Sequence, residues 1–293
     1  PETSIIDEGE RAVMIISVAS GKGGTGKTTV ATNLAASLGA VHFLDCDVEE
    51  PNAHLFLQPE ITERETITTP VPAIDEEACT LCRKCVDICR FKAITILGET
   101  ILVFPELCHS CGGCVQVCPE NAVSETKREI GVLEKGHRGP IRFIHGLLRI
   151  SEAMSPPLIN AVRSHVQADQ VNIIDAPPGT SCPVIAAMKG VDFVLLVTEP
   201  TPFGLHDLTL AVEAVKKLGL PAGLVINRSD MGDRRVHEYA QAENLPILME
   251  IPYDRSIAEA YSRGFLFAET SDEWKGRFQE LYERIKERTE HEE

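Results

Sequence analysis

The segment Gly21-Lys22-Gly23-Gly24-Thr25-Gly26-Lys27-Thr28 lies between a short apolar run and a stretch with helical periodicity. It fits the pattern G-x-x-x-x-G-K-[ST], in which glycines let backbone N–H groups turn inward and hold phosphate oxygens at a helix N-terminus. Lys27 is then expected to reach the β and γ phosphates, and Thr28 to ligate Mg²⁺. A chance glycine-rich turn is the alternative, but eight matched positions in this context disfavour it. The pattern predicts an ATP and Mg²⁺ site that includes Gly21, Lys22, Gly23, Gly24, Thr25, Gly26, Lys27, Thr28 and Thr29.

Short apolar runs alternate with helical patterns along most of the chain. The apolar runs predict strands at 13–19, 41–45, 141–144, 171–175, 193–197, 222–227 and 247–251. Helical periodicity predicts helices at 27–38, 204–218 and 271–293. Strands apolar enough to be buried on both faces, and separated by helices, indicate a doubly wound parallel sheet of the α/β class.

This alternation is interrupted between residues 70 and 126. Pro70 and Pro72 mark the entry to the interruption, because proline is unfit for a helix interior. We therefore predict a nucleotide-binding domain in two parts, 1–70 and 127–293, with a small α+β domain inserted at 71–126. Residues 127–140 carry three glycines and several charges, and they are predicted to be the linker that returns the chain to the larger domain.

The insertion contains eight of the ten cysteines, in two runs with the same spacing. Each run reads C-x2-C-x2-C-x3-C, and the second repeats the first at an offset of 29 residues. This is the spacing of bacterial ferredoxins, in which the fourth cysteine of each run ligates the cluster of the other run. It predicts two [4Fe–4S] clusters, the first held by Cys79, Cys82, Cys85 and Cys118, and the second by Cys89, Cys108, Cys111 and Cys114. Two structural zinc ions are the alternative, although this spacing is not that of a zinc ribbon.

The residue after the fourth cysteine differs between the two runs. Pro119 follows Cys118, as the ferredoxin pattern expects, whereas Arg90 follows Cys89. A cation stabilises a reduced and more negative cluster, so the second cluster is expected to have the higher potential. His109 is expected to be a surface residue, because the cysteine set is complete without it.

The composition limits the classes of partner. The chain has 293 residues and a formal net charge of −16, which argues against binding to nucleic acid or to anionic membranes. The charge favours a basic docking partner, although plain solubility is the preferred explanation for it. Crowded cysteines in a chain with neither a secretory signal nor an apolar run long enough to span a bilayer predict a reducing cytoplasm.

The phosphate loop resembles that of the MinD/Mrp/nitrogenase-iron-protein group, whose loop reads K-G-G-x-G-K-[ST]. In that group the early lysine, here Lys22, reaches across a dimer interface to the nucleotide of the partner. The resemblance implies an ATP-dependent homodimer in which Lys22 acts in trans beside Lys27 and Asp47 as catalytic residues. The alternative for Lys22 is a solvated loop residue.

Three further segments match the same group. In Asp45-Cys46-Asp47 the resemblance makes Asp47 the aspartate that orients the attacking water. Asp175, at the start of Asp175-Ala-Pro-Pro-Gly179, matches the Walker B aspartate, and Gly179 matches the switch glycine that senses the γ phosphate. Asn227, Arg228 and Pro252 match positions that contact the base. The implied Mg²⁺ ligands are Thr28, Asp47 and Asp175.

Two cysteines, Cys46 and Cys182, lie outside the insertion. Cys182 follows Asp175 by seven residues, the offset at which the nitrogenase iron protein carries a cluster ligand. No second cysteine occurs between 127 and 170, so a four-cysteine bridging cluster is not supported. A labile cluster or thiol site bridged by two Cys182 residues is one hypothesis, and a packed residue at a helix start is the other.

Two functions follow from these patterns. The first is an ATP-gated electron-transfer protein whose two clusters pass electrons to a redox partner protein or metallocofactor. The second is an ATP-dependent assembly or carrier protein for an iron–sulfur cluster or metal cofactor, as the resemblance to Mrp implies. Saturated eight-cysteine ligation favours the first function, and Cys182 favours the second. Filament formation or chromosome partitioning is a more distant third, because neither needs a redox module.

Overall fold

A nine-stranded sheet forms the centre of the computed structural model, which describes residues 14–290. Seven strands are parallel, in the order β11-β10-β9-β1-β8-β2-β7, and β6 and β3 extend the β7 edge antiparallel. The strands are β1 Ile15–Ala19, β2 Val41–Asp45, β3 Glu60–Ile74, β4 Ile94–Leu97, β5 Thr100–Val103, β6 Val123–Arg138, β7 Ile141–Leu148, β8 Val171–Asp175, β9 Phe193–Thr198, β10 Ala222–Asn227 and β11 Ile247–Ile251.

Helices cover both faces of this sheet. They are α1 Lys27–Leu38, α2 Ala53–Leu57, α3 Lys84–Ile88, α4 Gly113–Gln116, α5 Pro156–Arg163, α6 Cys182–Met188, α7 Pro202–Leu218, α8 Arg235–Ala242, α9 Arg255–Ser262, α10 Phe267–Thr270 and α11 Asp272–Glu290, with a 3₁₀ turn at Pro105–Leu107. Side chains of α1 and α11, including Leu34 and Phe278, pack on one face of the sheet. Side chains of α5, α6 and α7, including Leu158 and Val212, pack on the other. The predicted parallel α/β sheet is therefore confirmed.

Most predicted elements match the structure within one or two residues. The predicted strand at 141–144 is longer, because β7 runs from Ile141 to Leu148 and pairs with β2 through residues 142–145. The predicted strand at 13–19 begins at Ile15, and its first predicted residue lies outside the described residues. The predicted C-terminal helix is present as Asp272–Glu290, and residues 291–293 also lie outside the described part.

The prediction that residues 127–140 form a return linker is wrong. Most of it belongs to β6, which pairs with β3 along its length and with β7 along its second half. Its glycines mark close approaches of neighbouring strands: a Cβ on Gly131 would lie 2.4 Å from the Leu147 carbonyl oxygen, and one on Gly136 would lie 2.3 Å from that of Glu60. Strands β3 and β6 thus form a continuous ribbon that leads from the main sheet into the inserted segment.

The inserted segment beyond this ribbon is small and has its own apolar centre. It consists of α3, the hairpin β4–β5, the 3₁₀ turn and α4. Its buried side chains come from both cysteine runs and from the ends of the ribbon: Cys85, Val86, Ile94, Ile101 and Val123. Such a small core leaves much of the surrounding chain exposed, including most of the loops that carry cysteines.

The repeat of 29 residues is reproduced in the backbone. Left-handed φ angles occur in pairs at this offset: 55° at both Leu81 and Ser110, 67° at Arg83 and 68° at Gly112, and 56° at Lys92 and 53° at Asn121. Non-glycine residues rarely adopt this conformation, because the Cβ crowds the backbone. The two cysteine loops therefore share one backbone conformation. Of the residues at these left-handed positions, only Gly112 and Asn121 are types that favour it.

A partly buried ion pair joins the ribbon to the larger domain. Arg128 of β6 forms two hydrogen bonds to the carboxylate of Glu152, one of them at 3.1 Å, and only 1% of the Glu152 side chain is exposed. Burial alone would raise the pKa of Glu152, but the hydrogen bonds from Arg128 and from the Met154 N–H give a net lowering. Glu106 and Cys108 of the inserted segment also lie within electrostatic range of Arg128.

Replacing Arg128 by Met should destabilise this joint. The change leaves the partly buried Glu152 carboxylate without its cation, which costs about 1–3 kcal/mol when one partner of a hydrogen-bonded pair is removed. We expect chemical denaturation to show the loss and hydrogen exchange to accelerate in β6. The difference should shrink as pH falls, because protonated Glu152 no longer needs a cation.

The matched control is Arg64→Met on the same ribbon. Arg64 lies 3.4 Å from Glu134, but 68% of its side chain is exposed, so the loss should stay below about 1 kcal/mol. Equal destabilisation by the two changes would contradict the role assigned to Arg128.

Candidate functional site

The phosphate loop connects β1 to α1 at the carboxyl edge of the sheet. Gly24 and Gly26 have φ angles of 81° and 92°, which other residues rarely adopt. Gly21 lies against the first turns of α7, where an added Cβ would be 2.1 Å from the Asp207 carbonyl oxygen. Glycine is therefore favoured at residues 24 and 26 by the backbone conformation, and at residue 21 because a side chain would collide with α7.

The side chains of Lys27 and Thr28 converge on Asp175. The Lys27 Nζ lies 2.5 Å from Asp175 Oδ1, and the Thr28 hydroxyl donates to Asp175 Oδ2 at 2.7 Å. Parallel pairing of β1 with β8 places Asp175 beside the loop, since both strands end at this edge. Three residues predicted from separate motifs thus meet at one point.

Two further carboxylates lie next to this group. Asp47 Oδ2 is 3.8 Å from Lys27 Nζ, and the buried Asp45 accepts backbone hydrogen bonds from Asp47 and Ala53. Burial and repulsion by Asp175 raise the pKa of Asp45 well above its usual range. Burial also raises the pKa of Asp47, to about 6, although Lys27 opposes the rise. For Lys27, burial lowers the pKa, but Asp175 and Asp47 outweigh burial and give a net increase.

Gly179 closes the opposite side of the loop. Its φ angle is 100°, and its N–H donates to the Ser20 carbonyl oxygen at 2.9 Å. The Ser20 hydroxyl in turn donates to the Lys22 carbonyl oxygen at 2.8 Å, so the segment after Asp175 is tied to the start of the loop. Any contact of the Gly179 N–H with a phosphate would require this hydrogen bond to break.

A cleft opens beside the loop at the ends of β10 and β11. Asn227 lies on its wall, and its amide donates to the Thr25 carbonyl oxygen at 2.9 Å. Arg228 also lines the cleft and forms an ion pair with Glu199 at 2.9 Å. Pro252 is exposed at the rim, between two residues that line the cleft. The remaining lining includes Ile251, Tyr253, Ile257, Tyr261 and Phe267.

Sequence patterns missed several of these residues. Tyr253 and Tyr261 supply aromatic surface to the cleft, but neither is at a position that the family resemblance assigns to the site. Glu199 belongs to the site because it pairs with Arg228, which follows β10 and is distant in sequence. Asp45 could have been found from the sequence, since it ends a buried strand two residues before Asp47.

The eight cysteines of the insertion line two separate cavities. One is bounded by Cys79, Cys82, Cys85 and Cys118, together with Leu81, Arg83 and Glu120. The other is bounded by Cys89, Cys108, Cys111 and Cys114, together with Phe91, His109 and Gly112. In each cavity three cysteines come from one run and the fourth comes from the other run.

Backbone N–H groups point at several of these sulfur atoms. The Ala93 N–H donates to Cys89 Sγ at 3.3 Å, and the Ala122 N–H, 29 residues later, donates to Cys118 Sγ at 3.2 Å. Burial raises the pKa of Cys85 and of Cys114, which hold equivalent positions in the two runs. Metal ligation would have to remove the thiol protons of Cys85 and Cys114, because the thiolate is the form that binds a metal.

The cysteines outside the insertion differ in exposure. Cys46 is buried, and burial raises the pKa of its thiol, so it is an inert core residue. Cys182 is exposed at the first residue of α6, on the segment that follows Gly179. Within residues 14–290, the structure places Cys182 at the surface as a free thiol.

Among residues 14–290, no three side chains of His, Cys, Asp or Glu are grouped so that they could hold a single metal ion. No helix in the same range is both long and apolar enough to cross a membrane.

The loop, its helix and the convergent Lys27, Thr28 and Asp175 define a P-loop nucleotide-binding protein. More specifically, the chain belongs to the family described as the CobQ/CobB/MinD/ParA nucleotide binding domain, which matches residues 16–267. It is thus an ATP-binding protein of the MinD/ParA type.

Comparison with individual proteins supports this membership. The chain is 32% identical to an uncharacterized protein of Methanocaldococcus jannaschii, over 94% of this chain and 97% of the relative. It is 24% identical to the iron-sulfur cluster carrier protein of Rickettsia conorii over 86% of this chain, but the match covers only 65% of the carrier. Among solved structures, the septum site-determining protein MinD of Pyrococcus horikoshii with Mg-ADP aligns with a TM-score of 0.56 and 23% identity, covering 93% of this chain and 96% of the MinD chain. That likeness shows the fold alone.

Because the pKa of Asp47 is about 6, ATP hydrolysis should depend on pH in this range. The charged carboxylate is the form that can orient water, so kcat/KM for ATP should fall as pH decreases through about 6. Asp47→Asn should lower the rate about a hundredfold or more and remove this acidic limb from the residual activity. Steady-state kinetics from pH 5 to 8 would measure both effects.

The matched control is Glu49→Gln, which removes an exposed carboxylate from the same segment. It should keep the acidic limb and nearly the full rate. An unchanged acidic limb in Asp47→Asn would exclude Asp47 as its source.

Proposed function

We propose that this protein couples ATP binding and hydrolysis to electron transfer through two [4Fe–4S] clusters held in the inserted segment. The observation that carries the proposal is the division of eight cysteines between two cavities, each with three cysteines from one run and one from the other. This is the crossed arrangement that the bacterial ferredoxin spacing predicts. The nucleotide site belongs to the same chain, and the ribbon β3–β6 connects the two.

The fit of the cavities to clusters is chemical as well as geometric. Each cavity offers four thiols, and backbone N–H groups at two equivalent positions donate hydrogen bonds that would stabilise the negative charge of ligated sulfur. The absence of a single-ion site among residues 14–290 is compatible with this assignment. Four irons at the corners of a cubane hold their cysteines farther apart than one ion holds its ligands. When bound, the clusters would supply one-electron redox chemistry.

In the nucleotide site, binding of Mg-ATP would have to break the existing contacts of Lys27 and Thr28 with Asp175. Lys27 would leave Asp175 for the β and γ phosphates, and Asp175 and Thr28 would turn to the Mg²⁺ shell. Asp47 would orient water at the γ phosphate. The Gly179 N–H would exchange the Ser20 carbonyl for a phosphate oxygen. Asn227 and the aromatic cleft would hold the base, with Arg228 and Pro252 at its rim.

A continuous path leads from this site to the clusters. Asp45 accepts a hydrogen bond from the Ala53 N–H at the start of α2, and β3 follows α2 directly. Strand β3 then runs 15 residues to the edge of the inserted segment. A displacement of Asp47 on ATP binding would thus reach the cysteines through a paired strand, which transmits movement better than a flexible linker.

We propose that ATP brings two copies together, with Lys22 completing the site of the partner. This part of the proposal rests on the resemblance of the loop to the MinD/Mrp group. Lys22 is half-buried, and its backbone is held by the Ser20 hydroxyl, which places the lysine at the mouth of the loop.

The second candidate function is ATP-dependent transfer of an iron–sulfur cluster or metal cofactor to another protein. It is favoured by the similarity to proteins named iron-sulfur cluster carriers and by the exposed Cys182, which lies three residues after Gly179. A bridging site made by Cys182 of two subunits would require the dimer. The eight cysteines enclosed in the insertion are better suited to resident clusters than to cargo.

Substituting Cys118 by Ala should damage the cluster that Cys79, Cys82 and Cys85 would hold. Anaerobically prepared wild type should contain about eight irons per chain, and the variant about four or fewer. Electron paramagnetic resonance of the reduced variant should still show the signal of the other cluster, the one assigned to Cys89, Cys108, Cys111 and Cys114. Cys46→Ala, which removes a buried thiol elsewhere, is the control and should keep all iron. Loss of the Cys108–Cys114 cluster instead would contradict crossed ligation.

ATP should change the redox behaviour of wild type but not of Lys22→Ala. Without Lys22 the dimer that closes over ATP is weakened, while the cysteines are untouched, so iron content should be unchanged. Anaerobic redox titration with and without a non-hydrolysable ATP analogue would measure the shift, and small-angle scattering would measure dimerisation. Lys189→Ala, an exposed lysine after α6, is the control. Identical potentials and shape with and without nucleotide would contradict the proposed coupling.

A further inference from the structure

The first cysteine run carries an unusual concentration of positive charge. Between residues 71 and 126, all lysines and arginines fall in one ten-residue segment: Arg83, Lys84, Arg90 and Lys92. The only carboxylate in that segment is Asp87, whereas the whole chain has a net charge of −16. All four cations are exposed, and none has a side-chain hydrogen bond or ion pair to another described residue.

Apolar side chains lie among these cations. Ile88 and Phe91 are each 43% exposed, although both are large and apolar. The Phe91 ring stacks on the His109 ring, with 3.4 Å between centroids and 10° between planes, and both residues line the cavity of Cys89 and Cys108. An aromatic cover over a cysteine cavity, with cations around it, has the apolar centre and polar rim of a protein interface.

The internal repeat shows that the cysteine loops do not need these cations. The second run has Gly112, Gly113, Pro119 and Asn121 at the four equivalent positions. Its backbone is the same, with matching φ angles at Arg83 and Gly112 and at Lys92 and Asn121. Arginine and lysine at left-handed positions also cost backbone energy that glycine avoids. The cations therefore serve a purpose beyond shaping the loop.

We propose that this basic surface, formed by Arg83, Lys84, Arg90 and Lys92 around Ile88 and Phe91, docks an acidic one-electron carrier protein. The inference rests on the proposed cluster function. Complementary charge steers encounter, and the strongly acidic remainder of the chain repels the same carrier, so the carrier is directed to the cavity that Phe91 covers. The reduced carrier would be oxidised by one electron, the cluster held at that cavity would be reduced by the same electron, and no covalent bond would form or break.

Nucleic acid is the other polyanion that four cations could attract. Its phosphates would meet the net negative charge of the surrounding protein, and four cations in one short segment provide few phosphate contacts. The exposed Ile88 and Phe91 instead match the apolar patch of a small protein partner. Redox encounters of this kind use small interfaces, below about 1,200 Å².

The test uses the full-length, anaerobically prepared protein and a plant-type [2Fe–2S] ferredoxin as the acidic probe. The variant Arg83→Gly/Lys92→Asn takes both replacements from the equivalent positions of the second run, so its loop conformation is already present in the molecule. Calorimetry at low ionic strength should show ferredoxin binding about tenfold more weakly, and with a smaller dependence on salt. Iron and sulfide content should match wild type.

Three controls make the result specific. Lys217→Gln/Lys275→Gln removes two exposed lysines from the larger domain and should leave ferredoxin affinity unchanged. Lys84→Gln/Arg90→Gln removes the other two cations of the basic surface and should weaken ferredoxin binding to a similar extent. Cytochrome c, a basic probe, should bind the variants of the basic surface no more weakly than wild type.

Several outcomes would overturn the inference. Unchanged ferredoxin affinity in the variants of the basic surface, equal weakening in the distant control, or tighter binding of a DNA oligonucleotide than of ferredoxin at this surface would each exclude it. Loss of iron in the variants would show that the cations serve cluster binding instead. A wild-type chain without iron would overturn the proposed function and this inference with it, whereas the other outcomes leave the proposed function intact.

Discussion

The buried contact between Lys27 and Asp175 ties together the two central strands of the sheet. Lys27 begins α1 directly after the phosphate loop, and Asp175 ends β8, which pairs with β1. Removing Lys27 would leave the buried Asp175 carboxylate without its cation, which is far more costly than losing an exposed pair. The same contact occupies the groups that a nucleotide and its Mg²⁺ would need. Binding of a nucleotide would therefore have to replace the contact between Lys27 and Asp175.

Asp45 and Asp47 make the balance of charge at this site sensitive to what binds. Three carboxylates surround one lysine, and burial raises the pKa of both Asp45 and Asp47. A bound Mg²⁺ would add positive charge and favour the ionised carboxylates, whereas phosphate oxygens would compete for Lys27. Asp45 also connects this group to α2, because it accepts a hydrogen bond from the Ala53 N–H at the start of that helix.

The ribbon of β3 and β6 gives the inserted segment a defined position relative to the nucleotide site. Its strands pair with β7 at one end and enter the cysteine loops at the other. Arg128 anchors the ribbon to Glu152 where it leaves the larger domain. A segment held in this way can be reoriented by a change in the sheet edge, whereas a segment on a flexible tether cannot. The acidic larger domain and the basic surface near Phe91 then face solvent with opposite charge, so one molecule presents two electrostatically distinct surfaces to its partners.

Local pattern alone determined the phosphate loop, the alternation of strands and helices, and the repeat of the cysteine runs. Glycines at fixed intervals, buried apolar runs and regular cysteine spacing each act within a few residues, so they can be recognised without distant contacts. Tertiary structure alone decided that 127–140 belongs to a strand, because β6 is stabilised by partners more than 50 residues away in β3 and its glycines are needed for close packing rather than flexibility. It also decided the raised pKa of Asp47, the pairing of Arg228 with Glu199 and the placement of Phe91 over a cavity, since burial and charge at each depend on residues from separate parts of the chain. The grouping of the eight cysteines around two cavities agrees with the spacing, while the clusters themselves stay a prediction.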